Sequence, residues 1–379
     1  MNLVLSEEQE ELQATVRRFL ADRSPMARVR ELMATPDGGD RALWERMAGE
    51  LGLPGLTVPE DYGGAGLGQV ELSVVMEELG RALTPSPFLA SAVLAASALL
   101  ATDDEDAKRE LLPGIAGGST VATLAVAEPA STADGGGGAT GWDPAAVRMR
   151  AALENGAWSL TGAKTLVPDG ATADLVLVAA RAGDELGLFA VDGGAAGLTR
   201  TGLTTLDPTR RLARLELAAT PARRLVSEDA AGALSHALDL AAVALAAEQL
   251  GGLQRCLDMS VEYAKTRYQF GRAIGSFQAI KHLCADMHVS MELARSAVRY
   301  AAWAADEAPD ELPVAASLAR AACSEAFFDV AANTIQVHGG IGFTWEHDAH
   351  LYFRRAKSSE LLLGGRRRQL GQLADRLGV

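Results

Sequence analysis

The chain has 379 residues, of which 48% are hydrophobic and 22% charged; this is ordinary globular usage and excludes the disordered, collagen-like and disulfide-scaffold classes. A net charge of −14, from 49 acidic against 35 basic residues, opposes nucleic-acid binding, which draws its affinity from neutralising phosphates with a basic surface. Cys256, Cys284 and Cys323 are too few and too scattered for a disulfide framework or a zinc cluster, and they suit a reducing, cytoplasmic setting.

The first eight residues turn acidic before any apolar stretch forms, so no secretory signal is expected. Ser6 with Gln9 three residues on makes a capping box, and Leu12, Val16, Phe19 and Leu20 recur at helical spacing behind it. Further helices are predicted over residues 40–51, 69–83, 88–100 and 105–115, separated by Pro and Gly clusters. The apolar run from Phe88 to Ala101 falls short of the roughly 20 residues of a bilayer span, and Pro85 and Pro87 precede it, which predicts a buried helix and no membrane span.

From Thr120 to about Val226 the texture changes to short apolar runs, such as 121–126, 157–160, 175–178 and 186–191, alternating with Gly and Asp turns; this predicts a small β domain. Its Gly135 to Gly138 run reads as a loop tip, since no strand and helix flank it as a phosphate cradle requires. From about Ser227 the chain returns to long Ala- and Leu-rich helices, over 228–266, 277–306, 314–337 and from Asp348 to the tail. Helices of this length imply a bundle that packs against other copies of its kind. His282 and Asp286 share a helix face at i, i+4 spacing, but a third ligand is missing and no metal is expected.

Three strings carry the chemistry. They are Tyr263-Ala264-Lys265-Thr266-Arg267-Tyr268-Gln269-Phe270-Gly271, then Ile274-Gly275-Ser276-Phe277-Gln278, and Gln336-Val337-His338-Gly339-Gly340-Ile341-Gly342-Phe343. On these strings the chain resembles the acyl-CoA dehydrogenase flavoproteins, and the resemblance covers essentially its whole length. It implies an α+β, acyl-CoA dehydrogenase-like fold: an N-terminal α-helical domain (1–118), a β-barrel-like middle domain (119–226) and a C-terminal four-helix-bundle domain (227–379). It also implies FAD as cofactor, an acyl-CoA as substrate, a homo- or hetero-oligomer (dimer or tetramer) and an electron-transferring flavoprotein as electron acceptor.

In that family the Arg-x-Gln-Phe-Gly segment reaches FAD bound to a neighbouring subunit, and the Gln-x-x-Gly-Gly segment contacts the same cofactor. Arg267 suits a bidentate pair with phosphate oxygens, and Gly339 and Gly340 let backbone N–H groups approach a diphosphate. Gln269, Phe270, Gln278 and Gln336 would add hydrogen bonds and apolar cover. Four of the five lysines in this arginine-rich chain, Lys164, Lys265, Lys281 and Lys357, lie in or beside such strings; structural or solvated lysines explain them equally well.

In the β domain, Val126-Ala127-Glu128-Pro129 resembles the strand that contacts the flavin ring, and the stretch from Trp158 to Lys164 resembles the next strand. Val126, Ala127 and Val167 are the flavin-contact positions there. Ala127 stands where a hydroxyl residue is usual, the residues after Pro129 read Ala-Ser-Thr-Ala-Asp, and Pro168 replaces a common threonine.

Family chemistry moves an α-proton to a carboxylate on one face of the acyl-CoA while a hydride leaves the β-carbon for the flavin on the other. The usual position of that Glu, after the Arg-x-x-Lys string, is Leu363 here, and the second family position is Ala241. Neither side chain accepts a proton. Glu248 and Glu360 are the nearest replacements in sequence, each more simply read as structural, and Glu346 also reads as structural. The catalytic base is therefore unassigned in this chain.

The resemblance leaves four readings open. They are a subunit whose partner supplies the base, a self-sufficient homo-oligomer with a relocated base, a flavin-dependent oxygenase, and a binding protein without turnover. Only Arg366-Arg367-Arg368 speaks for the last, and these arginines are expected to close a helix, where the C-terminal dipole favours them.

Overall fold

The computed structural model describes residues 3–35, 38–129 and 141–378. The Gly135 to Gly138 run and the five residues after Pro129 lie outside them. The described chain falls into two compact units. One comprises residues up to 31, then 69–84 and 242–379, and the other comprises 32–68 and 85–241.

The first unit is helical. α1 (Glu7–Arg23) opens with the expected capping box, the Ser6 side chain accepting from the Gln9 backbone and the Gln9 side chain from that of Ser6. α4 (Gln69–Ala82) begins where the carboxylate of Asp306 accepts the N–H groups of Gln69 and Val70, which satisfies two donors that a helix start leaves open. Then come the C-terminal part of α7 (Ala230–Thr266), α8 (Gln278–Glu307), α9 (Leu312–His338), α10 (Ala349–Leu361) and α11 (Arg366–Leu377).

α4 and α7 cross so closely that a Cβ on Gly80 would sit 1.9 Å from the Glu248 carbonyl oxygen, and one on Gly251 would sit 1.8 Å from that of Glu77. α7 and α9 run side by side in the same direction. The Gln249 amide donates to Ser324 and the Ser260 hydroxyl to Thr334, pairs 75 and 74 residues apart, and Gly252 lies under the Phe327 ring between them.

The last expected helix is broken. α10 stops at Leu361, Leu363 (φ 60°) and Gly364 (φ 92°) take left-handed conformations, and α11 starts afresh after Gly365. This corrects the reading of Arg366-Arg367-Arg368: the arginines open α11, at the end where the dipole disfavours cations, and Arg366 is balanced by Glu325 at 2.7 Å.

The second unit holds α2 (Met26–Met33) from Leu32 onward, α3 (Arg41–Leu51), a π-helical turn over Leu89–Ala95 that continues as α5 (Ala96–Leu100), α6 (Glu105–Ala116) and the β sheet. Residues 58–68, a glycine-rich turn leading into α4, fold back on the chain, with Ala65 donating to the Gly55 carbonyl and Gly66 to that of Val58. A Cβ on Gly64 would strike the Val58 carbonyl oxygen, so this turn needs glycine.

The seven strands are β1 (Ala122–Ala125), β2 (Arg150–Glu154), β3 (Ala157–Pro168), β4 (Leu175–Ala182), β5 (Glu185–Asp192), β6 (Leu198–Gly202) and β7 (Leu212–Arg224). β4, β2, β3, β7 and β5 pair in that order, and β5 pairs again with β4, so the sheet closes on itself as a barrel. β1 adds to β4 in parallel, and β6 adds to β7. Inside pack Val167, Val176, Val178, Phe189, Leu215 and Leu217, with Trp158 edge-on to Phe189 at 5.5 Å.

α7 is long and apolar enough to cross a membrane by length and composition, but 56% of its most apolar window is buried inside the protein, which marks it as a core helix.

Candidate active site

The first unit carries one group of expected cofactor residues. α7 ends at Thr266, and the chain turns through a two-strand hairpin, β8 (Tyr268–Gln269) and β9 (Arg272–Ala273). Both central residues are left-handed, Phe270 at φ 53° and Gly271 at φ 77°, as a two-residue hairpin loop demands. Glycine takes this conformation without cost, but for phenylalanine it is strained. Phe270 is nevertheless 92% exposed, with only the edge of Phe277 against its ring. Arg267 and Gln278 are exposed, and Arg267 has no ion-pair partner among the described residues. The Gln269 amide bonds back to the Tyr268 carbonyl.

The other segment leaves the end of α9. Gln336 is exposed on its last turn, and Gly339 caps the helix at φ 62°, ψ −139°, a region that side chains other than glycine do not enter. A Cβ on Gly339 or Gly340 would meet nothing within 4 Å, so both present bare backbone to open space. A guanidinium with no acidic partner and two bare glycines fit the diphosphate of FAD.

The parallel course of α7 and α9 brings the two segments to one end of the unit. There Tyr263 stacks on His338 at 4.5 Å, and His347 lies beside the His338 ring at 4.3 Å. Burial holds His338, His347 and His350 below the usual histidine range. Arg30 ties the 345–348 loop in place through the Trp345 and His347 carbonyls and the Asp348 carboxylate. His282 and Asp286 remain exposed on α8, and the described residues contain no cluster able to hold a metal ion.

The unit's carboxylates are largely spoken for. Glu248 is buried and bonded to the Arg355 guanidinium. Glu360 pairs with Lys357 at 2.8 Å, and Glu346 is exposed. Leu363 is buried, with Gln369 donating to its carbonyl. Arg320, fully buried, donates to the carbonyls of Ser359 and Leu362 and so closes the end of α10 just before Leu363. A polar cavity of about 750 Å³ is lined by Arg17, Glu78, Arg81, Asp258 and Arg299, among others. Its charges are matched as Arg17–Glu78 and Arg81–Asp258 (both 2.6 Å) and Arg299–Glu77 (2.7 Å). Burial pushes the Glu77 carboxyl up to about 7, against the pull of Arg299.

The second unit carries the other expected group. Val126 and Ala127 follow β1, Val167 lies on β3, and all three are buried. Two carbonyls of this segment are pinned from β3, that of Ala127 by the Thr165 N–H at 2.8 Å and that of Val126 by the Lys164 ammonium at 3.0 Å. Lys164 is fully buried and pairs with Glu128 at 2.7 Å; that carboxylate also accepts the N–H groups of Arg148 and Met149. Burial pushes the Lys164 ammonium down to about 8, with Glu128 opposing. Lys265 and Lys281 are exposed. Ala241, on the part of α7 that belongs to this unit, is fully buried.

The Lys164–Glu128 pair and the Tyr263–His338 stack go beyond the sequence reading, although all four residues stand inside the quoted strings. Arg320 carries no signal in sequence, being an arginine amid an alanine-rich helix.

Comparison with known proteins agrees with this picture. Residues 6–140 match the family described as acyl-CoA dehydrogenase, N-terminal domain, and residues 210–378 the acyl-CoA dehydrogenase, C-terminal domain. The acyl-CoA dehydrogenase IpdE2 of Mycobacterium tuberculosis is 38% identical over 97% of this chain and 96% of its own. The ChsE4–ChsE5 complex of the same organism contains a chain that superposes with a TM-score of 0.88 at 31% identity, over 100% of this chain and 99% of that one. A variant of the Tcur3481–Tcur3483 steroid ACAD superposes at 0.87 with 36% identity, over 98% of both chains. The chain belongs to the acyl-CoA dehydrogenase family, and it is an FAD-dependent oxidoreductase of the kind that acts on CH–CH bonds.

Proposed function

We propose that this chain is one subunit of a heteromeric acyl-CoA dehydrogenase, whose partner subunit supplies the carboxylate that removes the α-proton. The observation that carries this reading is the pair Leu363 and Ala241, apolar and buried at the two positions where the family places that carboxylate. The residues suited to a diphosphate are meanwhile retained. When bound, FAD accepts the hydride that leaves the β-carbon. The chain's own part is to hold the cofactor. On the FAD of a neighbouring subunit, Arg267 meets the phosphates, Gly339 and Gly340 offer backbone N–H groups, and Gln269, Phe270, Gln278 and Gln336 cover the rest. On the chain's own FAD, the segment of Val126 and Ala127 and the backbone at Val167, whose side chain packs inside the barrel, line the flavin ring.

Its relatives include a steroid ACAD built from two named chains and the ChsE4–ChsE5 complex. The steroid ACAD supports an acyl-CoA thioester of a steroid fragment as substrate; an electron-transferring flavoprotein as acceptor follows from the family resemblance, and the cytoplasm from three free thiols that suit a reducing setting. A relocated base is the second reading. It is disfavoured because Glu248 already neutralises Arg355 and Glu360 already neutralises Lys357.

The test is the visible absorption spectrum and flavin stoichiometry of the protein purified alone and co-expressed with an acyl-CoA dehydrogenase-like partner. Flavin that becomes stoichiometric and reducible by acyl-CoA only in the co-expressed complex supports the shared site. One FAD per chain in the lone protein, bleached by acyl-CoA, contradicts it.

A further inference from the structure

The Arg267 hairpin and the Gly339–Gly340 turn are separated by about 70 residues of chain, yet a single diphosphate has to be met by both. What holds them at a fixed spacing is visible at the ends of α7 and α9. The helices are joined along their length by side-chain contacts, ending with the bonds among Ser260, Thr334 and the Cys256 carbonyl. One turn further on, Tyr263 and His338 stack at an interplanar angle of 27°. Beyond this pair the two segments begin.

Each ring is coupled to its segment through the backbone. The Tyr263 carbonyl accepts the N–H of Arg267 at 2.8 Å, closing the last turn of α7. His338 is bonded directly to Gly339, and its Nδ1 lies 2.7 Å from the Thr334 carbonyl. A carbonyl oxygen only accepts, so Nδ1 carries the proton and the ring plane is fixed. His347 also lies against the His338 ring, with centroids 4.3 Å apart, so the ring has a second aromatic neighbour besides Tyr263.

We propose that Tyr263 and His338 are positioning residues for FAD, their stack setting the distance between the Arg267 hairpin and the Gly339–Gly340 turn so that both engage one diphosphate. The inference rests on the reading of those two segments as cofactor contacts. Neither ring touches the cofactor in this account. Their effect passes through the backbone of Arg267 and Gly339.

The experiment uses the co-expressed holoprotein, stripped of flavin and titrated with FAD by fluorescence, with thermal midpoints recorded alongside. Tyr263→Leu and His338→Gln are each expected to weaken FAD binding roughly three- to tenfold, the range for loss of one aromatic pair. Tyr263→Phe, which keeps the ring, retains the wild-type affinity. The double variant binds no more weakly than the poorer single, because the two residues act as one contact. Unchanged affinity in both single variants, or losses that multiply in the double, overturns the proposal. Should Tyr263→Leu fail to fold, His338→Gln against His338→Phe decides, the latter restoring a ring and with it the affinity. Arg267→Met separates the two levels. If it leaves FAD affinity unchanged, the segment reading itself is wrong; if it weakens FAD while the ring variants do not, only the positioning role falls.

Discussion

The Glu248 carboxylate is bonded to the Arg355 guanidinium, with both side chains buried. This pairing joins α7 to α10 and occupies the carboxylate that stands two turns beyond Ala241. A structural role for Glu248, rather than that of the base, is therefore the expectation. Glu248→Ala is expected to cost about 3–5 kcal/mol of stability, the range for removing one partner of a buried pair, as read from chemical denaturation. Holoprotein that stays folded should keep its turnover per bound flavin within roughly threefold; a collapse of turnover at full flavin occupancy would make Glu248 the base.

The buried pair of the β barrel should behave alike. Lys164→Met removes the buried cation of Glu128, leaving the half-exposed Arg148 at 3.8 Å, and is expected to cost about 3–5 kcal/mol. Adding Glu128→Gln should recover part of that loss, since the two residues interact directly. Additive losses in a double-mutant denaturation cycle would show that the pair is not coupled.

Helix crossing gives a third prediction. Gly80→Ala and Gly251→Ala each drive a methyl group into a backbone carbonyl, and a backbone atom cannot swing aside as a side-chain tip can. Each should lose at least about 1–3 kcal/mol, as overpacking does, with a lowered denaturant midpoint as the readout. Gly49→Ala, where a Cβ meets nothing within 4 Å, is the control expected to stay near wild type.

Stability should also depend on pH through Glu77. Its folded-state pKa is raised from 4.5 to about 7 by burial, so folding favours the protonated form. The stabilisation is complete below pH 4.5 and lost as pH rises through about 7. The lowered histidines act oppositely, their contribution being present above 6.5 and lost as pH falls below it. Comparing denaturation midpoints of the wild type and Glu77→Gln across this range isolates the carboxyl. The wild type should lose stability relative to the variant as pH rises from 4.5 to 7, and a constant difference would show that Glu77 is ionised throughout.

Much of the architecture was legible because it is written in local rules. The capping box at Ser6 and Gln9, the helix from about residue 40 to 51, and the long Ala- and Leu-rich helices α7 to α9 all appear where expected. α2 and the strands β2, β6 and β7 were not singled out. β2 and β6 are mostly exposed or half-buried and β7 alternates, so they lack the apolar runs that marked β1 and β4. The break at Leu363 was also missed, because a left-handed leucine has no sequence signature, and with it the direction in which Arg366 to Arg368 face the helix dipole. Among site residues, Arg267 and the Gly339–Gly340 pair stood out by residue type. The stack of Tyr263 on His338 depends on α7 and α9 running parallel, a relationship between helices that no string contains.

The proposed subunit holds FAD yet owns no proton-abstracting carboxylate. The most direct measurement is steady-state acyl-CoA oxidation, with a dye as electron acceptor, by the lone chain supplied with excess FAD and by its complex with the co-expressed partner, using butyryl-CoA, palmitoyl-CoA and a steroid side-chain acyl-CoA. A shared active site gives turnover in the complex and none above background in the lone chain; steady turnover by the lone chain would contradict it.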